Sequence, residues 1–159
     1  SLGGGFPIGA FWVRAPYADL LGPGTHGSTY GGSPLGCAVA LKVLETIQRE
    51  NLAENARRVG EHITAGLHEL GRKCPAVVHN ARGLGLMLGM ELAPNIPNLP
   101  GDPSKTQAVR LANLLHTAGL LTIPAGPNIL RFLPALNLRP EEANEGLHIL
   151  EKVAEKLAN

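Results

Sequence analysis

The chain has 159 residues, with Lys+Arg 14 against Asp+Glu 13 and a formal charge of +1. A length of this order holds one domain, or one and part of another. So even a balance excludes the concentrated basic surface that nucleic acid or an anionic membrane asks of a partner. Hydrophobic residues make up 44%, enough to build a core, while 20 glycines and 13 prolines describe a backbone that often needs special geometry. The two cysteines, Cys37 and Cys74, have no metal-ligand spacing and make no disulfide framework. That points to a reducing, cytoplasmic setting. No apolar run reaches the roughly 18 residues of a membrane span, and no basic-then-apolar leader is visible. The chain opens on Ser1 rather than methionine, so it is expected to be processed or to be a portion of something longer.

In chain order, Ile8–Val13 is expected to be a short buried strand between Pro7 and the Arg14–Pro16 stretch. Residues 22–34 read as loop. Leu35, Val39, Val43 and Ile47 then fall four apart, the period of an amphipathic helix, with Pro34 in its first turn. A second stripe, Ala56, Val59, Ile63, Leu67 and Leu70, ends at Gly71, a natural stop. The two stripes make one long helix or two broken near Asn51. Residues 76–79 and 84–92 read as strands, the second from the alternation of Leu84, Leu86, Leu88, Met90 and Leu92. A loop over 95–103 leads to a helix over 104–117, with Ala108, Leu111, Ala112 and Leu115 inward. Strands over 120–124 and 129–133 flank the turn 125–128. A closing helix over 140–157 buries Ala143, Leu147, Leu150, Val153 and Leu157. From residue 72 onward this order describes a compact α+β lobe, to which the glycine-rich opening does not belong.

Three features carry chemistry. Gly3-Gly4-Gly5 allows positive φ and close approach of another backbone or a flat ligand; a flexible linker is the alternative. No Gly-Lys-Ser/Thr follows, which excludes a phosphate-binding loop of that type. The letters G-x-G-x-x-G at 22–27 follow a loop and open no helix, so they make no dinucleotide fingerprint. Thr25, Ser28, Thr29 and Ser33 place hydroxyls among Gly27, Gly31 and Gly32 just ahead of a helix. Such a loop offers hydroxyls and backbone N–H groups to a phosphate, aided by the positive helix end. It could equally be a capped turn with Ser33 as N-cap. Arg131 stands inside the apolar run Ile129–Leu133 and needs a carboxylate or solvent: a clamp for a substrate carboxylate, or an outward residue on an edge strand. The histidines are scattered without ligand spacing, and no metal site is expected.

Four ordered motifs combine these features: Leu-Gly-Gly-Gly-Phe-Pro-Ile-Gly-Ala at 2–10, Thr-His-Gly-Ser-Thr-Tyr-Gly-Gly-Ser-Pro-Leu-Gly at 25–36, Arg-Gly-Leu-Gly-Leu-Met-Leu-Gly-Met-Glu-Leu at 82–92, and Gly-Pro-Asn-Ile-Leu-Arg-Phe-Leu-Pro-Ala-Leu-Asn at 126–137. In order and spacing they resemble the class III aminotransferases of the fold-type I pyridoxal-phosphate enzymes. Within that class the last motif is most similar to the acetylornithine branch, with the ornithine branch second. Ser33 stands where the family's Gly-Gly-Asn-Pro carries Asn, a mild departure.

The resemblance implies an α/β fold, the C-terminal part of a fold-type I pyridoxal-phosphate-dependent transferase. Residues 1–34 would end the large cofactor-binding domain, 35–71 would bridge, and 72–159 would form the small α+β domain. It implies pyridoxal 5′-phosphate as cofactor, with Ser28 and Thr29 binding its phosphate across the interface of a homodimer that shares its active sites. It implies Arg131 as the residue holding the substrate α-carboxylate. The Schiff-base lysine is expected just before Ser1, and none of Lys42, Lys73, Lys105, Lys152 and Lys156 lies in that motif. The implied reaction moves an amino group from N-acetylornithine, or a similar ω-amino substrate, to 2-oxoglutarate, as in arginine biosynthesis, and this chain alone is expected to be inactive. Ornithine, succinylornithine or 4-aminobutyrate transamination are the enzymatic alternatives, and the Thr-His-Gly-Ser-Thr-Tyr strip argues against an aminomutase. A non-enzymatic dimerisation or binding module derived from the family is the alternative of another kind.

Overall fold

The computed structural model describes residues 2–25, 27–29 and 31–159. Two compact units divide the chain, residues 1–52 and 53–159.

In the first unit a 3-10 helix, Ala15–Leu20, precedes helix α1, Pro34–Arg49. Pro34 suits the first turn because its missing N–H would have no partner there. Ser33 Oγ accepts from the Gly36 N–H at 3.1 Å, so Ser33 is the N-cap. Ile8–Val13 forms no strand. Its apolar side chains are not taken into a core: Phe11 and Trp12 stand 67% and 81% exposed. The 3-10 helix, set off by Pro16, is the short element that composition hides.

Asn51, at φ 51°, interrupts the helical run, so the two-helix alternative holds. Helix α2 spans Leu52–Lys73 and runs past Gly71, because the intrahelical ladder continues to the carbonyl of Leu70, which accepts from Cys74 N–H. In the second unit follow β1 (Val78–Leu84), β2 (Met87–Leu92), α3 (Gln107–Thr117), β3 (Ile123–Pro124), β4 (Ile129–Phe132) and α4 (Pro140–Ala158). The apolar alternation over 84–92 is therefore not one strand. A hairpin turn at Gly85-Leu86 divides it, with Gly85 at φ 55°, leaving Leu84 on β1 and Met87 at the start of β2. Every hydrophobic of the alternation except Leu84 belongs to the turn or to β2, so the period continued across a break that only Gly85 marks. The helix expected from 104 begins at Gln107; Thr106 Oγ1 caps it by accepting from Val109 N–H at 3.4 Å.

The four strands form one antiparallel sheet in the order β1-β2-β4-β3. Its inner face presents Ala81, Leu88, Met90 and Leu130 to one continuous core shared with Val59, Ile63, Leu67 and Leu70 of α2, Leu111 and Leu115 of α3, and Leu150, Val153 and Leu157 of α4. The inward residues expected of α3 are all buried, and those of α4 are buried or half-buried. Gln107 ties the connection ahead of α3 to the sheet, receiving Ile96 N–H at 2.7 Å and donating to the carbonyl of Pro94 at 2.8 Å.

An ion pair joins α2 to α4: Lys73 Nζ donates to Glu151 Oε1 at 2.7 Å. That bond holds the Glu151 carboxyl below the usual carboxylate range and raises the Lys73 ammonium. A carboxyl depressed by folding stabilises above its unfolded value, and the contribution is lost as pH falls through the lowered folded value. Lysine behaves as the mirror image, contributing below its ordinary range until pH rises through the raised folded value. Glu151→Gln is therefore expected to flatten the acid side of the stability profile, read as urea midpoints at a series of pH values. Both partners are solvated, so the effect is small; an unchanged profile would show that the pair contributes nothing.

Candidate functional site

Backbone geometry shapes the glycine opening of the first unit. Phe6 N–H bonds to the Gly3 carbonyl at 2.9 Å, closing a tight turn in which Gly4 and Gly5 have φ 54° and 112°. A Cβ on Gly4 would meet Val43 Cγ2 at 3.2 Å, and one on Gly36 would meet Phe6 Cε1 at 3.0 Å and Ile8 Cδ1 at 3.3 Å. The glycine opening is thus folded closely onto α1, which decides against the flexible linker. Side-chain-free positions are needed there because the side chains of Val43, Phe6 and Ile8 lie against the backbone.

The loop ahead of α1 carries Ser28 and Thr29, both exposed. The Ser28 carbonyl accepts from Gly31 N–H at 3.1 Å, and Gly32 at φ 71° turns the chain into the Ser33 cap. His26 and Tyr30 of the same strip lie outside the described residues. Hydroxyls presented to solvent just ahead of a helix N-terminus form a donor set that fits a phosphate, where the helix end favours negative charge. Ser33 serves as the cap in the same loop, so the capped-turn reading holds for Ser33.

A separate candidate group lies on the outer face of the sheet, within the second unit. Arg131 lies on β4, opposite Gly89 of β2 and Ile123 of β3, with buried Leu130 and half-buried Phe132 beside it in sequence. Alternation along the strand explains the arginine: its neighbours enter the core and it points to solvent. It is not on an edge, since β3 and β2 flank β4. Arg49, Arg57, Arg72, Arg82 and Arg139 all have glutamate partners, whereas Arg131, like Arg14, Arg58 and Arg110, forms no ion pair with the described residues. It borders a groove of about 330 Å³ lined mainly by Leu120, Leu121, Ile123, Leu133 and Leu147, an apolar wall on which Glu142, paired with Arg139, is the other charged side chain. The sequence reading assigned no role to Arg82 and Glu91, which pair beside it; their signal is the register of three strands, which no local pattern contains. Among the described residues no group of His, Cys, Asp and Glu could hold a metal ion, and no helix is long and apolar enough to cross a membrane.

Comparison with known proteins gives this arrangement its class. The family profile "Aminotransferase class-III" matches residues 1–154. An acetylornithine aminotransferase of Nostoc sp. is 41% identical over 152 residues, covering 96% of this chain and 34% of that protein. The crystal structure of an acetylornithine aminotransferase from Elizabethkingia anophelis superposes with a TM-score of 0.73 at 33% identity, over 87% of this chain and 32% of that one. An amine transaminase from an uncultivated Pseudomonas species, solved in its PLP-bound form, gives 0.72 at 35% identity, over 83% of this chain and 30% of its own. The chain belongs to the class III aminotransferases and has the α/β fold of part of a fold-type I pyridoxal-phosphate enzyme. It spans about a third of the length of the relatives it matches.

Proposed function

We propose that this chain is the C-terminal portion of a pyridoxal-phosphate-dependent aminotransferase that moves an amino group from N-acetylornithine, or a similar ω-amino substrate, to 2-oxoglutarate, as in arginine biosynthesis. The observation that carries the reading is Arg131, an exposed guanidinium without an ion-pair partner among the described residues, at the rim of an apolar groove. A bidentate arginine suits a planar carboxylate better than a point charge does, and 2-oxoglutarate bears one beside its reacting carbonyl. The apolar wall accommodates methylene carbons.

In this reading Ser28 and Thr29 hold the cofactor phosphate, through hydroxyl and backbone donors, in the neighbouring site of a homodimer. Leu41 and Leu44 of α1, one turn apart, are exposed, an apolar patch that a second copy would cover. When bound, pyridoxal phosphate supplies a carbonyl that takes up the amino group and a ring that draws off electrons. Residues 1–34 belong to the large domain, 35–71 to the bridge and 72–159 to the small domain. Cys37 and Cys74 are free thiols, which supports the cytoplasmic setting. The named relatives favour acetylornithine, and the amine transaminase among them keeps other ω-amino substrates in view.

None of the five lysines, Lys42, Lys73, Lys105, Lys152 and Lys156, belongs to the glycine opening where this family attaches its cofactor. The chain by itself therefore lacks the nucleophile and proton carrier of the reaction. Incubated with pyridoxal phosphate, N-acetylornithine and 2-oxoglutarate, it is expected to form no glutamate above a protein-free blank. Turnover by this chain alone would refute the assignment of that role to a lysine it does not contain.

A further inference from the structure

Helix α2 and the start of β1 flank a groove of about 310 Å³ that lies outside the groups described above. Its floor is apolar and buried, from Leu67 and Val78, and its rim carries His68 and Arg72 of α2 and His79 of β1. Every titratable side chain that lines it is basic. The carboxylates close by are already bound: Glu69 accepts from one Nη of Arg72, and Glu91 accepts from Arg82 at 2.6 Å. Arg72 keeps its remaining N–H groups. His62 of the same helix is held by Asn144 at 2.6 Å, whereas His68 and His79 hydrogen-bond to none of the described residues. A cation in the last turn of a helix complements the macrodipole, which accounts for Arg72; it accounts neither for His79 on the facing strand nor for Gly71.

Gly71 is the second observation. A Cβ on Gly60 or Gly66 of the same helix would stand 2.0 Å from the Gly85 carbonyl oxygen or 2.6 Å from Leu147 Cδ1. One on Gly71 would meet nothing closer than the Val78 carbonyl oxygen at 3.6 Å, an ordinary contact. Glycine is among the poorest residues for a helix interior, and packing does not ask for it here. Its effect is to leave the groove open beside His68, Arg72 and His79. We propose that this groove binds the phosphate group of a small phosphorylated ligand, held by Arg72, His68 and His79 over the side-chain-free Gly71. A terminal phosphate presents three acceptor oxygens to three donor groups, where a carboxylate presents two. An imidazole supplies an N–H in either protonation state. The groove lies wholly in the second unit, so the proposal is independent of the roles given to Ser28, Thr29 and Arg131.

The test titrates inorganic phosphate into the chain at a fixed pH of about 6 and fixed ionic strength. The imidazole Cε1–H signals are followed by NMR, each identified by its loss in His62→Gln, His68→Gln or His79→Gln. His68 and His79 are expected to shift along one saturating curve, with a dissociation constant of the order of millimolar, while His62 stays in place. Arg72→Gln should weaken binding about fivefold. Gly71→Leu keeps every charge but fills the groove, and should abolish saturation. Gly71→Ala should raise the urea midpoint, since nothing but the groove opposes a better helix former. Shifts that do not saturate, or that His62 shares, are screening alone and overturn the proposal. So do equal affinity in Arg72→Gln, undiminished binding in Gly71→Leu, or a lowered midpoint in Gly71→Ala. Acetate binding as tightly as phosphate overturns the ligand class. The Arg72 side chain is 70% exposed, so Arg72→Gln retains the fold and keeps the test decisive if Gly71→Leu does not; unchanged core methyl signals check this.

Discussion

Gly60→Ala is expected to destabilise the protein by about 2 kcal/mol, although alanine in a helix interior is ordinarily worth about 1 kcal/mol more than glycine. Gly60 lies in the buried stripe of α2, where a Cβ would come within 2.0 Å of the Gly85 carbonyl oxygen and 2.4 Å of its carbon. No real Cβ makes such contacts, and the obstacle is backbone, so no rotamer change relieves it. Either α2 moves away from the β1–β2 hairpin or the turn at Gly85 opens. Gly85 holds φ 55° there, and the same turn sets Leu86 into the core at 4% exposure. Moving the helix loosens the contacts of Val59 and Ile63, both in the core. Urea unfolding should show the midpoint lowered by about 1 M at unchanged slope. A midpoint equal to or above wild type would mean that propensity outweighs the clash and that helix and hairpin are not held as closely as described.

Such a contact is invisible in sequence, where Gly60 reads only as a weak spot in a helix. What could be read was periodic. The apolar stripe of α2, Ala56 to Leu70, and that of α3, Ala108 to Leu115, are buried because a 3.6-residue repeat has one way to face a core. The alternation Leu88, Met90, Leu92 is inward for the same reason at period two. Periodicity failed where its cause was ambiguous. Ile8–Val13 is apolar yet forms no strand, with Phe11 and Trp12 exposed, and the alternation through Leu84 and Leu86 continues across a turn. On the site, the loop carrying Ser28 and Thr29 and the outward Arg131 could be singled out, because a cluster of hydroxyls before a helix and a cation in an apolar strand are each locally anomalous. Arg82 and Glu91 are locally ordinary. Their relation to Arg131 exists only through Gly89, and that depends on a hairpin and on a second strand pairing that joins segments some forty residues apart in the chain.

The larger consequence of the account concerns activity. If residues 25–36 and Arg131 perform for this chain what the family resemblance assigns them, the chain should restore transamination when joined behind the upstream portion that it lacks relative to its longer relatives. The Nostoc acetylornithine aminotransferase, 41% identical over the matched region, can supply that portion. The fusion is expected to turn over N-acetylornithine with 2-oxoglutarate. Arg131→Gln in it should lower kcat/KM for 2-oxoglutarate by about 100-fold, the value of a lost charge-assisted pair to a carboxylate. The loss for N-acetylornithine should be smaller, because its carboxylate is remote from the reacting amine whereas that of 2-oxoglutarate adjoins the reacting carbonyl. An equal loss for both would show that Arg131 does not act through the carboxylate beside the reacting carbon.

Glutamate formation by that fusion, after its solubility and cofactor content have been verified, is the measurement that bears most directly on the central claim. The account predicts turnover dependent on N-acetylornithine or another ω-amino donor and strongly reduced in Arg131→Gln. A folded, cofactor-loaded fusion that forms no glutamate from any such donor, or one whose turnover is indifferent to Arg131→Gln, would contradict it.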